Sequence, residues 1–178
     1  MTTPTAETLG VEGFPDMMNA EQYVVHLATV ISQSFSSAED AFNGTHSLLS
    51  LQHPYESAAT NGVTVLGSSG DGGTANGKKS PVGKGRTTFP FPTVGWPASD
   101  PLVTGVGVTY LCTDPHNTTS RTALSPNVAP RCNAIPTQAE VGWTFASGGF
   151  SHVFSKPSYQ NALPGGSTCR GLLKVFAA

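Results

Sequence analysis

The chain has 178 residues, of which 38% are hydrophobic and 8% aromatic, with a formal net charge of −2. That length suits one domain with a core of its own. The charge balance leaves no basic footprint for nucleic acid, and no run of about 18 apolar residues is present to span a membrane. Only 11% of the residues are charged, about half the usual share of ~25%. Few carboxylates therefore change state as pH falls, and acid removes little stability by proton linkage. The composition hints at an acidic or extracellular workplace, with a Ser/Thr/Gly-rich loop surface as the plain alternative. Residues 1–15 lack the charged-then-apolar order of a signal peptide.

Residues 1–13 read as an irregular lead-in. Residues 14–27 have helical spacing, with Met17, Met18, Tyr23, Val24 and Leu27 on one apolar face and Pro15 suited to the first turn. Residues 29–35 read as a strand. Residues 45–60 read as a helix that Pro54 kinks or divides and that Asn61-Gly62 stops. Val63–Gly67 is a second, β-branched strand. Strand, helix, strand in this order predicts two parallel strands joined by a right-handed crossover. Chemistry in such sheets sits beyond the carboxyl ends of the strands, here residues 34–39 and 68–73. A long loop follows Gly73 and carries Lys78, Lys79, Lys84 and Arg86. Residues 94–98 and 101–111 read as extended, 112–137 as loop, and 141–154 as aromatic strand pieces broken at Gly148-Gly149. The tail GLLKVFAA reads as a short unfinished element. No repeat and no domain boundary is visible.

Several motifs fail on their own terms. Gly72–Lys79 approaches a phosphate loop, but Lys79 stands where Ser or Thr is required and Pro81, Gly83 and Gly85 preclude a following helix. The five histidines, at 26, 46, 53, 116 and 152, show no metal-ligand spacing. Ser151 and His152 are neighbours, and on a strand they point to opposite faces. Gly67-Ser68-Ser69-Gly70-Asp71 is no nucleophile elbow, because Asp replaces the last Gly. Glu39 and Asp40 follow a strand end and suit a cap on the next element. Three cysteines, at 112, 132 and 169, leave an odd one over, with Cys112 and Cys132 placed to close a loop. The triplets Asn43-Gly44-Thr45 and Asn117-Thr118-Thr119 matter only in a eukaryotic secretory pathway. The most informative stretch is Gly67–Gly73, where Asp71 stands among glycines just past a buried strand. It is either an Asp-Gly turn or a carboxyl whose neutral form donates to a developing oxyanion.

Ser69-Gly70-Asp71-Gly72-Gly73 after Gly62-Val63-Thr64-Val65-Leu66 resembles the sedolisins, the serine-carboxyl peptidases. So do Val30–Phe35 with Glu39, Trp96–Gly107, and Ser147–Phe154 with Lys156–Gln160, all in the right order. The resemblance is strongest over residues 10–160. It implies an α/β chain with a partial subtilisin-like fold, a mostly parallel sheet flanked by helices. It also implies acid-acting peptide hydrolysis by a Ser–Glu–Asp triad, and an extracellular location. Under it, Asp71 is the oxyanion-hole acid, and Ser34, Phe35, Ser36, Ser69 and Gly70 line the substrate cleft.

The sequence departs from the family in specific places. The family's Glu and Asp, its Ser-Gly-Thr-Ser nucleophile and its calcium-binding aspartates have no counterpart here, and Val108 stands where a second glycine is usual. The expectation is one truncated domain over residues 1–178, with no cofactor and with little or no peptidase activity, since members of a catalytic unit act together. Its partner would be a peptide or ester substrate, with no nucleic acid and no membrane. Uncovered sheet edges would favour self-association. One alternative is an ester hydrolase built from Ser69 or Ser151 with His152 and Asp71; another is a non-catalytic binding or structural fragment.

Overall fold

The computed structural model describes residues 11, 13–74, 76–79, 86–112, 140–143, 145–161 and 169–172, with backbone alone at 78, 79, 86 and 169–172. The first helix, α1, is Phe14–Val24, with Pro15 and Asp16 in its first turn. Phe14, Met18 and Glu21 are buried, and their i, i+4, i+7 spacing puts them on one face. The core-facing stripe therefore includes a carboxyl. Tyr23 and Leu27, expected on that face, are 61% and 72% exposed. The reason is geometric: Tyr23 lies about 200° around the helix from Glu21, and Leu27 falls in the turn after the helix ends.

Strands β1 (Val30–Gln33) and β3 (Thr64–Ser68) pair in parallel, with Val30 opposite Thr64 and Gln33 opposite Gly67. Strand β7 (Thr104–Val106) adds in parallel on the other side of β3, giving the order β1-β3-β7. The crossover between β1 and β3 holds two helices, α2 (Thr45–Leu49) and α3 (His53–Thr60). Pro54 divides them as expected, because its ring suits the first turn of α3 and its missing N–H could not serve a helix interior. Gly62, at φ +69°, then turns the chain toward β3.

The remaining described strands form antiparallel pairs. Strand β2 (Ser37–Ala38) pairs with β6 (Gly95–Trp96), and β8 (Thr109–Leu111) with β9 (Glu140–Gly142). Strand β10 (Gly149–Ser155) pairs with β11 (Cys169–Leu172). The basic segment expected to be plain loop contains a small ladder between β4 (Gly77–Lys79) and β5 (Arg86–Thr88). Cys112 is buried and disulfide-bonded, while its expected partner Cys132 lies outside the described residues. No helix among the described residues is long and apolar enough to cross a membrane.

Trp96 is the centre of the core. It is wholly buried, and the rings of Phe14, Phe42 and Tyr55 lie 5.3, 5.5 and 5.6 Å from it. Its indole N–H donates to Asp100 Oδ2 at 3.3 Å. That oxygen also accepts from Gln52 Nε2 at 2.8 Å, and Asp100 Oδ1 accepts from Leu102 N at 3.0 Å. Nearby, a side chain at Gly67 would meet Val103 Cγ1 at 3.0 Å and the Ala98 backbone at 3.3 Å. The end of β3 therefore needs glycine to admit the segment after β6.

Removing the indole by Trp96→Ala is expected to destabilise the chain by about 3–5 kcal/mol. Trp96→Phe keeps an aromatic ring of smaller volume and removes the donor to the buried Asp100 carboxyl, the lost hydrogen bond alone costing about 1–3 kcal/mol. Urea unfolding of the two variants against the parent chain checks both values.

Candidate functional site

The carboxyl ends of β1 and β3 carry the two segments singled out by sequence. After β1 the chain runs through Ser34, Phe35 and Ser36, with Phe35 46% exposed. After β3 come Ser69 and Gly70, then the exposed pair Asp71 and Gly72. The two segments meet over Gly95, where a side chain would lie 3.4 Å from both Ser36 Cβ and the Ser69 carbonyl oxygen. They thus flank one crevice at the strand ends, where open α/β sheets place their ligands.

The Asp71 loop is fastened on both sides. Ser69 N donates to Val106 O at 2.9 Å, which extends the β3–β7 pairing into the loop. Gly70 has φ +96°, a left-handed conformation that glycine adopts without strain. Ser147, itself fully buried, clamps the turn: its N donates to Gly70 O at 3.0 Å, and its Oγ accepts from Gly72 N at 2.9 Å. The same hydroxyl donates to Asn76 Oδ1 at 3.2 Å, and Asn76 Nδ2 donates to Thr93 O at 2.9 Å. Gly73 N to Phe145 O at 3.1 Å and Gly148 N to Gly73 O at 3.3 Å complete the frame. The loop backbone is held, and the Asp71 carboxyl is left facing solvent. A carboxyl donates a hydrogen bond only in its neutral form.

A second cluster joins the turn after β2 to β10. The Glu39 carboxylate is buried rather than capping a helix, which corrects the expectation from sequence. Its Oε1 accepts from Ser151 Oγ at 2.7 Å and its Oε2 from His152 N at 2.9 Å. Ser151 Oγ also accepts from Val153 N at 3.0 Å and Phe154 N at 2.7 Å. That hydroxyl is committed to the fold. His152 points outward from the same strand, and its Nδ1 lies 3.1 Å from Asp40 Oδ1. The other Asp40 oxygen accepts from the Thr93 hydroxyl.

The described contacts place the residues of the ester-hydrolase alternative in separate hydrogen-bond groups. Among the described residues no hydrogen bond joins Ser69, Ser151, His152 and Asp71 into one unit. Strand alternation separates Ser151 from His152. The carboxylate beside the imidazole is Asp40, not Asp71. Ser69 Oγ is buried and has no hydrogen-bond partner among the described residues. Asp40 was missed as the histidine's partner because the two stand 112 positions apart. Glu39 was singled out, but its adjacency to a strand end could not reveal a bond to β10. No group of three or more His, Cys, Asp or Glu side chains is placed to hold a metal among the described residues.

No family model matches the chain. The tripeptidyl-peptidase SED2 of Arthroderma otae is 30% identical over 151 residues, a stretch that is 84% of this chain and 20% of that protein. Among solved structures, a Pseudomonas sedolisin (serine-carboxyl proteinase), complexed with two molecules of pseudo-iodotyrostatin, aligns with a TM-score of 0.61 and 25% identity. That alignment covers 90% of this chain and 41% of the sedolisin chain. The chain is thus similar to part of a sedolisin domain and shares its subtilisin-like α/β fold.

The clamp on the loop has a direct test. Gly70→Ala places a Cβ 3.2 Å from Ser147 Oγ at a positive φ, and is expected to cost about 1–3 kcal/mol. Ser147→Ala removes the acceptor of Gly72 N, and should speed hydrogen exchange at that amide far more than at β3 amides. Native-state exchange read by NMR checks both.

Proposed function

We propose, taking the chain as part of a sedolisin-family domain, that it contributes the substrate cleft and the oxyanion-stabilising acid of an acid-acting serine-type peptidase. The observation that carries this reading is the exposed Asp71 carboxyl on a clamped loop beside the 34–36 segment, of which Ser34 and Phe35 are exposed. An extended peptide laid along Ser34, Phe35 and Ser36 would bring a carbonyl toward Ser69, Gly70 and Asp71. As that carbonyl is attacked, negative charge grows on its oxygen. A neutral Asp71 on a rigid loop donates to that oxygen without reorganising, which is how such donors lower a barrier.

The rest of the machinery is the limiting part. No Ser-Gly-Thr-Ser stretch occurs in the 178 residues. The Ser69 hydroxyl has no hydrogen-bond partner among the described residues. The Ser151 hydroxyl, which donates to Glu39, is fully buried and tied to the backbone of its own strand. On this reading the chain alone hydrolyses peptides weakly or not at all, and needs no cofactor. The disulfide at Cys112 supports an oxidising, extracellular setting. Strands β1 and β7 each pair on one side only among the described residues. Val30 and Val106 are exposed on them, which supports association through these edges.

The test is hydrolysis of a peptide and a simple ester by the purified chain from acidic to neutral pH, alongside serine labelling by a fluorophosphonate. The expected outcome is no serine label and no ester cleavage. Any peptide cleavage should be acid-dependent and fall about 10²–10³-fold in Asp71→Ala. Labelling of Ser69 or Ser151, or cleavage indifferent to Asp71, would overturn the reading.

A further inference from the structure

Glu21 is a carboxyl in an unusual place. It is 7% exposed, on the face of α1 that packs against β1 and α3. Its Oε1 accepts a short hydrogen bond from Gln33 Nε2 on β1. Gln33 Oε1 in turn accepts from the Tyr55 hydroxyl of α3 at 3.2 Å. Glu21 Oε2 is buried with no hydrogen-bond partner.

Among the described residues, none nearby offsets a negative charge there. On α1 and the turn after it, Asp16 and His26 are exposed, as are His53 and Glu56 on α3. The titratable groups turned inward are Tyr55 and, beyond it, the buried Asp100, both acidic. The imidazole of His152 lies against Asp40, at a different place. A buried carboxylate with an orphaned oxygen and no counter-charge is costly, whereas the neutral acid has no charge to desolvate.

We propose that Glu21 is a proton-operated latch: as the neutral acid it docks α1 onto β1 and α3, and its ionisation loosens that helix. Burial pushes the carboxyl from 4.5 up to about 7, with the polar neighbours Gln33 and Tyr55 pulling the other way. Burial, together with the Glu21 charge, pushes the Tyr55 phenol up, so Tyr55 stays neutral and cannot itself supply the switch. A group whose folded pKa is raised gives its full stability below the unfolded value, and that contribution is lost as pH rises through the folded one. The latch is therefore closed below about 4.5 and open above about 7. The full displacement corresponds to about a 300-fold change in the unfolding constant. The position of Gln33 gives the latch reach, because it directly precedes Ser34 at the crevice. The proposal stands on the packing of α1 and does not depend on the role given to Asp71.

The experiment is urea unfolding of the full chain between pH 4.5 and 8, for the parent and for Glu21→Gln, which mimics the neutral acid in shape. The parent should lose on the order of a hundredfold or more in folding constant across that range, with α1 amides losing exchange protection first. Glu21→Gln should lack that component and keep its α1 protection. Parallel pH profiles for the two proteins would overturn the latch. A carbon-13 titration of the Glu21 side chain in the parent gives a second reading that needs no variant. A midpoint near 7 supports the latch, and one in the ordinary glutamate range overturns it.

Discussion

The indole of Trp96 holds together three stretches of chain that sequence leaves far apart. Phe14 reaches it from α1, Phe42 from the turn after β2, and Tyr55 from α3. Its N–H meets the buried Asp100, so the apolar contact and a polar anchor occupy one position. The neighbouring Gly95 lets the 34–36 segment and the Ser69 carbonyl approach within van der Waals range. The crevice at the strand ends is thus a consequence of where that one large side chain is buried.

A chain with few charges still buries three carboxyls among its described residues, and it treats them differently. Asp100 receives hydrogen bonds from Gln52, Trp96 and Leu102. Glu39 receives them from Ser151 and from the His152 backbone. Both oxygens of each group are satisfied, as buried polar groups require. Glu21 has one donor and one orphaned oxygen. The first two act as staples between elements, while the third is suited to carrying a proton. A low count of titratable groups gives a single buried one more influence over how stability varies with pH.

The loop around Asp71 shows how a site is built from parts with no chemistry of their own. Ser147 and Asn76 pass hydrogen bonds from the loop to the Thr93 carbonyl. Ser147 lies 75 positions from Gly72, yet its hydroxyl sets the shape of the turn. The Ser147–Phe154 stretch thus has two structural tasks. Its first serine frames the loop, and Ser151 and His152 bind Glu39 beside the crevice.

What could be read from sequence was local or rested on periodicity. The parallel pair β1–β3, the break at Pro54, the stop at Gly62 and the alternation that separates Ser151 from His152 follow from spacing and backbone chemistry alone. The ordered motifs also pointed to the sedolisin likeness and to the Asp71 loop. The facing of single side chains was legible only where a short pattern dictates it. Tyr23 and Leu27 looked like core residues and are exposed, because Tyr23 lies on the side of α1 away from Glu21 and Leu27 falls beyond the helix end. Asp40 as the partner of His152, Glu39 as a staple and Gln33 as the link from Glu21 to Tyr55 are contacts between elements distant in the chain. Sequence determines what each segment can form, since backbone preference acts over a few residues. Only the tertiary structure decides which polar groups meet, because burial forces each to find a partner wherever packing has placed one.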